Sequence, residues 1–137
     1  DGNAKMSKSL GNTILLSDEP DVVKSRLKKA VTDINKVRKG DPGNPDICLV
    51  YSYHQKFNPE EIREIEAGCR SGALGCFDCK MNCASKISSF LEPIIEKRKY
   101  YESRIDEVKD ILFDGEIRGR KVAEQTMSEV HDKMKLG

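Results

Sequence analysis

The sequence has no dominant charge and no long apolar stretch. Its 137 residues include 24 Lys and Arg and 23 Asp and Glu, a formal net charge of +1. This balance argues against a generally basic nucleic-acid-coating protein, so any contact with RNA must be local. No apolar run approaches the roughly 20 residues that span a bilayer, and residues 1–10 lack the apolar centre of a secretory signal. We therefore expect a cytoplasmic protein with no membrane partner.

Histidine is scarce, whereas cysteine is not. The two histidines, His54 and His131, lie far apart in the sequence. His54 stands in an apolar, aromatic segment, which is more typical of a hydrogen-bonded core residue than of a catalytic base, and we assign it no catalysis. Three of the five cysteines lie between Cys76 and Cys83. In a cytoplasmic chain this bunching indicates metal binding or redox chemistry rather than a disulfide framework.

Apolar residues recur at spacings of three and four along most of the chain, so the sequence predicts an all-α fold. Residues 1–17 have the small and polar residues of a loop, and we expect an extended or disordered arm there. A helical domain should occupy residues 18–137. Its first helix should begin near Pro20. The apolar stripe of that helix is predicted at Val23, Leu27, Ala30, Val31 and Ile34.

Later helices have recognisable boundaries in the sequence. Asn58-Pro59-Glu60-Glu61 predicts a helix start, with Asn58 as the cap and Glu61 reaching back to it. The preceding run, residues 47–57, is too short for periodicity to distinguish a helix from a strand. Glycines predict two later interruptions of the helical pattern, a loop over residues 69–78 and a break at Gly115 and Gly119.

The most specific motif is Lys5-Met6-Ser7-Lys8-Ser9, which is followed by Leu10-Gly11-Asn12. Its residue types suit the activation of a carboxylate by ATP, because negative charge then develops on the departing diphosphate. Lysine ammonium groups on flexible stems can follow that charge into the transition state. Serine hydroxyls can donate further hydrogen bonds to phosphate oxygens.

The motif and its tail resemble the second signature of class I aminoacyl-tRNA synthetases, in which this loop closes over ATP with its Mg²⁺. The resemblance implies that Lys8 is the catalytic lysine placed most directly and that Lys5 supports it. It implies an ATP-binding role for the whole pentapeptide, Lys5, Met6, Ser7, Lys8 and Ser9.

Several stretches resemble the tryptophanyl-tRNA synthetases in particular. They are Asn12–Asp18, Thr32-Asp33, Asp41–Pro45, Tyr53–Phe57, Cys69–Cys76 and Phe90–Ile94. This resemblance covers most of residues 1–101 and weakens beyond them. It implies that residues 47–57 are helical and that residues 18–137 form the anticodon-binding domain. The reaction it implies is ATP + L-tryptophan + tRNA(Trp) → Trp-tRNA(Trp) + AMP + diphosphate.

The resemblance also implies a role for the cysteines. Some tryptophanyl-tRNA synthetases bind a [4Fe–4S] cluster through one distant cysteine and a closely spaced trio, which here corresponds to Cys48 and Cys69-x6-Cys76-x2-Cys79. Cys83 would share a helical face with Cys79 and could replace Cys48 as the fourth ligand. Zn²⁺ on the same thiols and buried thiols without any metal are the alternatives.

Basic residues near the cysteines are candidates for tRNA contacts, since the resemblance sets this region near the anticodon-reading end of the domain. Their loss should weaken tRNA binding and lower its salt dependence. A solvated basic surface explains each of them equally well. The candidates are Lys36, Arg38, Lys39, Arg70 and Lys80.

The family's catalytic domain has a nucleotide-binding α/β fold with a His-Ile-Gly-His type sequence, and no such segment precedes Lys5. We therefore expect residues 1–17 to be a remnant of that domain, and the chain to be a C-terminal fragment that is inactive alone. We expect a homodimeric parent and a monomeric fragment. One alternative is the C-terminal part of a tyrosyl-tRNA synthetase. Another is a non-catalytic helical module that binds metal or an iron–sulfur cluster, with an accidental match at Lys5–Ser9.

Overall fold

A computed structural model describes residues 4–135, and the first three residues of the predicted arm lie outside it. Within the described range the chain forms helices and turns without any strand, which confirms the all-α prediction. None of these helices is long and apolar enough to cross a membrane. The helices are α1 (Pro20–Lys29), α2 (Leu49–Phe57), α3 (Ile62–Ser71), α4 (Cys76–Glu102) and α5 (Ile105–Met134).

The described residues divide into two compact units, residues 4–96 and 97–135. The core of the first unit forms where α1, α2 and α4 turn their apolar residues inward. Burying one such side chain stabilises the fold by about 1.5–3 kcal/mol. The most deeply buried members are Val23, Leu27, Val50, Cys83, Ala84, Ile87 and Leu91. In the second unit α5 has no buried residue.

The first helix is shorter than its periodicity predicts. It ends before Val31 and Ile34, and both of these side chains are exposed. The buried carboxylate of Asp33 accepts hydrogen bonds from the backbone N–H groups of Asn35 at 2.8 Å and Asn44 at 2.7 Å. These bonds, that from Asn44 first, hold the pKa of Asp33 below its usual value. A local turn therefore replaces the predicted last helical turn.

The helix start at Asn58 is present, although its predicted cap is wrong. A short 3₁₀ turn, Pro59–Glu61, precedes α3, and the Asn58 side chain caps no backbone group. Its Nδ2 instead donates to Glu61 Oε2 at 3.0 Å and to the ring of His54. The preceding residues 49–57 are helical, as the resemblance implied.

The loop predicted over residues 69–78 is shorter in the structure, because α3 continues to Ser71 and α4 begins at Cys76. Cys69 is therefore helical. Gly72 ends α3 in the left-handed region with φ 79°, and a Cβ there would lie 2.2 Å from the carbonyl oxygen of Gly40. Only glycine fits this close approach.

The predicted break at Gly115 and Gly119 is wrong, because α5 runs through both residues. Each glycine costs a helix about 1 kcal/mol relative to alanine, which a long helix tolerates. An ion pair one turn apart, from Asp114 to Arg118 at 3.0 Å, spans the first of them. The break falls instead between α4 and α5, at Ser103.

Candidate functional site

The Lys5–Ser9 motif leads into a tight turn over residues 8–11. The backbone N–H of Ser7 donates to Asn12 Oδ1 at 2.8 Å, and the N–H of Gly11 donates to the carbonyl of Lys8 at 3.2 Å. The hydroxyls of Ser7 and Ser9 lie 2.8 Å apart. The Lys5 and Lys8 side chains are exposed. The motif therefore groups two hydroxyls and leaves the ammonium groups accessible to an anion.

A side chain of α1 anchors the end of this turn. Arg26 Nη1 donates to the carbonyl of Gly11 at 2.8 Å, and its Nε lies 3.4 Å from Asp18 Oδ2. The same Asp18 oxygen accepts the backbone N–H of Leu15 at 2.9 Å. Because Asp18 is buried, these contacts fix residues 11–18 against α1. Sequence reasoning missed Arg26, since only the fold brings it near Gly11.

The four cysteines predicted as ligands come from three places in the fold: Cys48 just before α2, Cys69 in α3, and Cys76 and Cys79 in the first turn of α4. All are free thiols. Burial, and after it the nearby thiols with Cys48 foremost, together raise the pKa of Cys79 to about 12. The structure therefore brings these thiols into electrostatic range of one another.

The thiols do not converge on a single point. In residues 4–135 no three His, Cys, Asp or Glu side chains are grouped closely enough to hold one metal ion. Cys83 lies in the apolar core, where its sulfur is 4.0 Å from the carbonyl of Val50 and burial raises its pKa to about 12. It packs as a small apolar side chain.

His54 is buried beside the cysteines and hydrogen-bonded, as its segment predicted. Asn58 Nδ2 donates to the Glu61 carboxylate, which fixes the orientation of the amide, and also contacts His54 Nδ1 at 3.2 Å. Nδ1 must then accept, and the proton belongs on Nε2. Nε2 lies 3.1 Å from the carbonyl oxygen of Cys79 and 3.4 Å from its sulfur. Burial lowers the pKa of His54, so the ring is neutral at pH 7.

Three of the predicted tRNA-contacting residues have protein partners, and two of these three, Lys36 and Arg70, are held near α3. Lys36 Nζ donates to the carbonyl of Leu74 at 2.9 Å. Arg70 forms ion pairs with Glu66 at 2.9 Å and Asp46 at 3.1 Å. These contacts tie the loops around α3 together, so the two cations have structural partners.

Arg38 and Lys39 differ, because their side chains form no ion pair within residues 4–135. They line an open cleft of about 360 Å³. Lys80 lies nearby in α4 and donates to a backbone carbonyl of α1 at 3.3 Å. The rest of the cleft consists of Lys36, Val37, Gly75, Cys76, Phe77 and Asp78. The exposed aromatic residue among them was absent from the predicted set.

Comparison with known proteins identifies relatives over nearly the whole chain. A family described as "tRNA synthetases class I (W and Y)" matches residues 1–92. The tryptophan–tRNA ligase of Aquifex aeolicus is 42% identical over 134 residues, which are 96% of this chain and 34% of the relative. That of Deinococcus radiodurans is 39% identical, covering 98% of this chain and 41% of the relative. The chain thus spans 34% to 41% of the length of these two relatives.

Solved structures agree with the sequence relatives. The tryptophanyl-tRNA synthetase of Campylobacter jejuni, solved with ADP and tryptophan, has a TM-score of 0.83 and 25% identity, covering 97% of this chain and 41% of that one. The tryptophanyl-tRNA synthetase of Aeropyrum pernix K1 has a TM-score of 0.57 and 32% identity, covering 70% of this chain and 29% of that one.

Proposed function

The chain belongs to the class I tRNA synthetases of the tryptophan and tyrosine group, and from that membership we propose that it forms part of a tryptophan–tRNA ligase. It would supply the ATP-handling loop and the helical anticodon-binding domain. The relatives described above, which are tryptophan enzymes, support tryptophan over tyrosine. The family match includes residues 5–9, which argues against an accidental motif in a non-catalytic module.

The observation that carries this proposal is the geometry of the Lys5–Ser9 motif. A tryptophan carboxylate oxygen attacks the α-phosphorus of ATP, the bond to the bridging oxygen breaks, and diphosphate leaves. Mg²⁺ bound with ATP would neutralise part of the phosphate charge. Lys8, supported by Lys5, stabilises the charge that develops on the diphosphate. Ser7 and Ser9 donate their hydroxyl hydrogens to phosphate oxygens. A tRNA hydroxyl then attacks the activated carboxyl carbon, and AMP leaves.

We propose further that Cys48, Cys69, Cys76 and Cys79 hold a [4Fe–4S] cluster. The electrostatic influence of Cys48, Cys69 and Cys76 on Cys79 supports a shared site for these four thiols, and a [4Fe–4S] cluster takes four thiolates. Zn²⁺ on the same thiols is the alternative that metal analysis separates. A bound cluster would supply a covalent link among α2, α3 and α4. Cys48 raises the pKa of both Cys69 and Cys79, whereas Cys83 acts on Cys79 and is not among the groups that shift the pKa of Cys69, which supports Cys48 over Cys83 as the fourth ligand.

For the tRNA contacts, Arg38 and Lys39 are the strongest candidates, because no ion pair within the described range engages their charges. Lys36, Arg70 and Lys80 have protein partners and should contribute mainly to the local electrostatic field. The homodimeric parent and the monomeric fragment stay predictions.

The amino-acid assignment can be tested with a chimera in which this chain replaces the matching part of the Aquifex aeolicus ligase. We expect the chimera to charge tRNA(Trp) with tryptophan and not with tyrosine. The chain alone should catalyse no ATP–diphosphate exchange. Charging with tyrosine, or exchange by the isolated chain above background, would contradict the proposal.

The cysteine assignment can be tested by anaerobic purification followed by iron and sulfide analysis. We expect a broad visible absorbance that Cys79→Ser abolishes, because it removes a ligand. The matched control is Cys83→Ser, which should keep the iron. Stoichiometric zinc without iron would refute the cluster, and loss of iron in Cys83→Ser but not in Cys48→Ser would identify Cys83 as the fourth ligand.

A further inference from the structure

Phe77 is an aromatic residue in an unusual position, the first turn of α4 between two of the cysteines. Its side chain is 56% exposed. Phe90 is equally exposed, but its ring packs edge-on against Phe57 at a centroid distance of 5.2 Å. The one ring contact described for Phe77 is with the ammonium of Lys28, 5.9 Å from its centroid. One face of a large apolar ring is therefore available for a ligand.

The surroundings of Phe77 favour an anionic ligand. Arg38 and Lys39 line the same cleft of about 360 Å³ and have no ion-pair partner within residues 4–135. The cleft contains a single carboxylate, that of Asp78. Val37, which is 79% exposed, adds an apolar wall. The cleft thus combines a flat apolar ring with unpaired cations.

We propose that Phe77 is a stacking platform for one unpaired base of the tRNA, while Arg38 and Lys39 contact the flanking phosphates. This inference rests on the proposed tRNA ligase function. Proteins recognise single-stranded RNA loops by stacking splayed bases on aromatic side chains and neutralising the backbone with cations. A protein partner would require no such pairing of a planar ring with phosphate-binding cations.

The absence of tryptophan from the chain makes a direct test possible. Phe77→Trp introduces a single fluorophore at the platform, and the probe is an RNA hairpin with the anticodon stem and loop of tRNA(Trp). We expect the hairpin to bind this variant with wild-type affinity and to quench its fluorescence. A blunt duplex with the sequence of the stem should not quench it, because it offers no unpaired base.

Phe77→Ala should weaken hairpin binding by roughly 5- to 150-fold, the range for loss of one stacked base. The salt dependence of binding should stay unchanged, because stacking releases no counterions. Arg38→Ala should instead reduce the salt slope by about one phosphate contact. The matched control is Phe113→Ala, since Phe113 is 65% exposed on α5, away from the cleft in sequence. It should bind like the wild type.

The outcomes distinguish a failure of tRNA binding from a failure of the stacking role of Phe77. If the wild-type chain does not bind the hairpin, the proposed tRNA contact fails and the stacking role fails with it. If the wild type binds but Phe77→Ala behaves like Phe113→Ala, only the stacking role is overturned. Equal quenching of Phe77→Trp by hairpin and duplex would also overturn it, even if Phe77→Ala folded poorly.

Discussion

Replacing Arg26 with alanine should loosen residues 11–18, which follow the Lys5–Ser9 motif, without unfolding the first unit. The substitution removes the bond to the Gly11 carbonyl and the charge facing Asp18. A hydrogen bond from a charged group contributes about 1.5–3 kcal/mol. The Arg26 side chain is 32% exposed, and its Nε makes no hydrogen bond of good geometry to Asp18. Solvent screening of this partly exposed group lowers the figure, and we expect a local loss of about 1–2 kcal/mol.

Native-state hydrogen exchange can measure this loss amide by amide. A local cost of about 1–2 kcal/mol corresponds to roughly 5- to 30-fold faster opening. The amide of Leu15, which donates to Asp18, should show it, whereas the amide of Val23 in α1 should not. Arg63→Ala, which removes an exposed arginine from α3, is the matched control. Unchanged exchange at Leu15, or equal acceleration at Val23, would refute the anchoring role.

Two further predictions concern stability. The pKa of Glu61 is lowered from 4.5 to about 2 by hydrogen bonds from Lys86, Asn82 and Asn58. Because this pKa is lower in the folded state than in the unfolded state, the Glu61 carboxylate stabilises the fold fully above pH 4.5. That stabilisation is lost as the pH falls through about 2. The free energy of unfolding, measured by urea denaturation at pH 7, 4 and 2, should fall accordingly in the wild type and fall less in Glu61→Gln. An equally steep fall in the variant would contradict the assignment. Gly72→Ala should destabilise the chain by more than about 1 kcal/mol because of the clash with Gly40. Gly115→Ala should stabilise α5 by about 0.5–1 kcal/mol, because its Cβ would contact no other atom. Equal melting temperatures for Gly72→Ala and Gly115→Ala would contradict this reasoning.

Local chemistry made much of the fold predictable. Helices were correctly predicted wherever apolar spacing and a start signal coincided, as at Pro20 and Asn58. The errors arose where residues distant in the sequence determine the local structure. The end of α1 depends on a hydrogen bond from Asn44 to Asp33, eleven residues away. The sequence did not predict that α5 continues through Gly115, because the low helix propensity of glycine weakens a helix without necessarily ending it.

The candidate site divides in the same way. The Lys5–Ser9 motif is contiguous, so sequence alone was sufficient to single it out. The anchoring by Arg26 and the exposure of Phe77 depend on how α1 and α4 pack, which periodicity does not encode. The sequence around Phe77 holds a weaker signal: the ring follows the glycine-marked loop and precedes Lys80 by three residues, and aromatic residues near cations are a feature of RNA-binding surfaces.

The central claim is that the exposed lysines of the signature loop act on ATP, and tryptophan-dependent ATP–diphosphate exchange by the Aquifex chimera tests it most directly. Lys8→Ala should lower kcat by about 100- to 1,000-fold, the cost of removing one group that stabilises transition-state charge. Lys121→Ala, which removes an exposed lysine from α5, should leave the rate unchanged. Exchange at the wild-type rate in the Lys8→Ala chimera would contradict the claim.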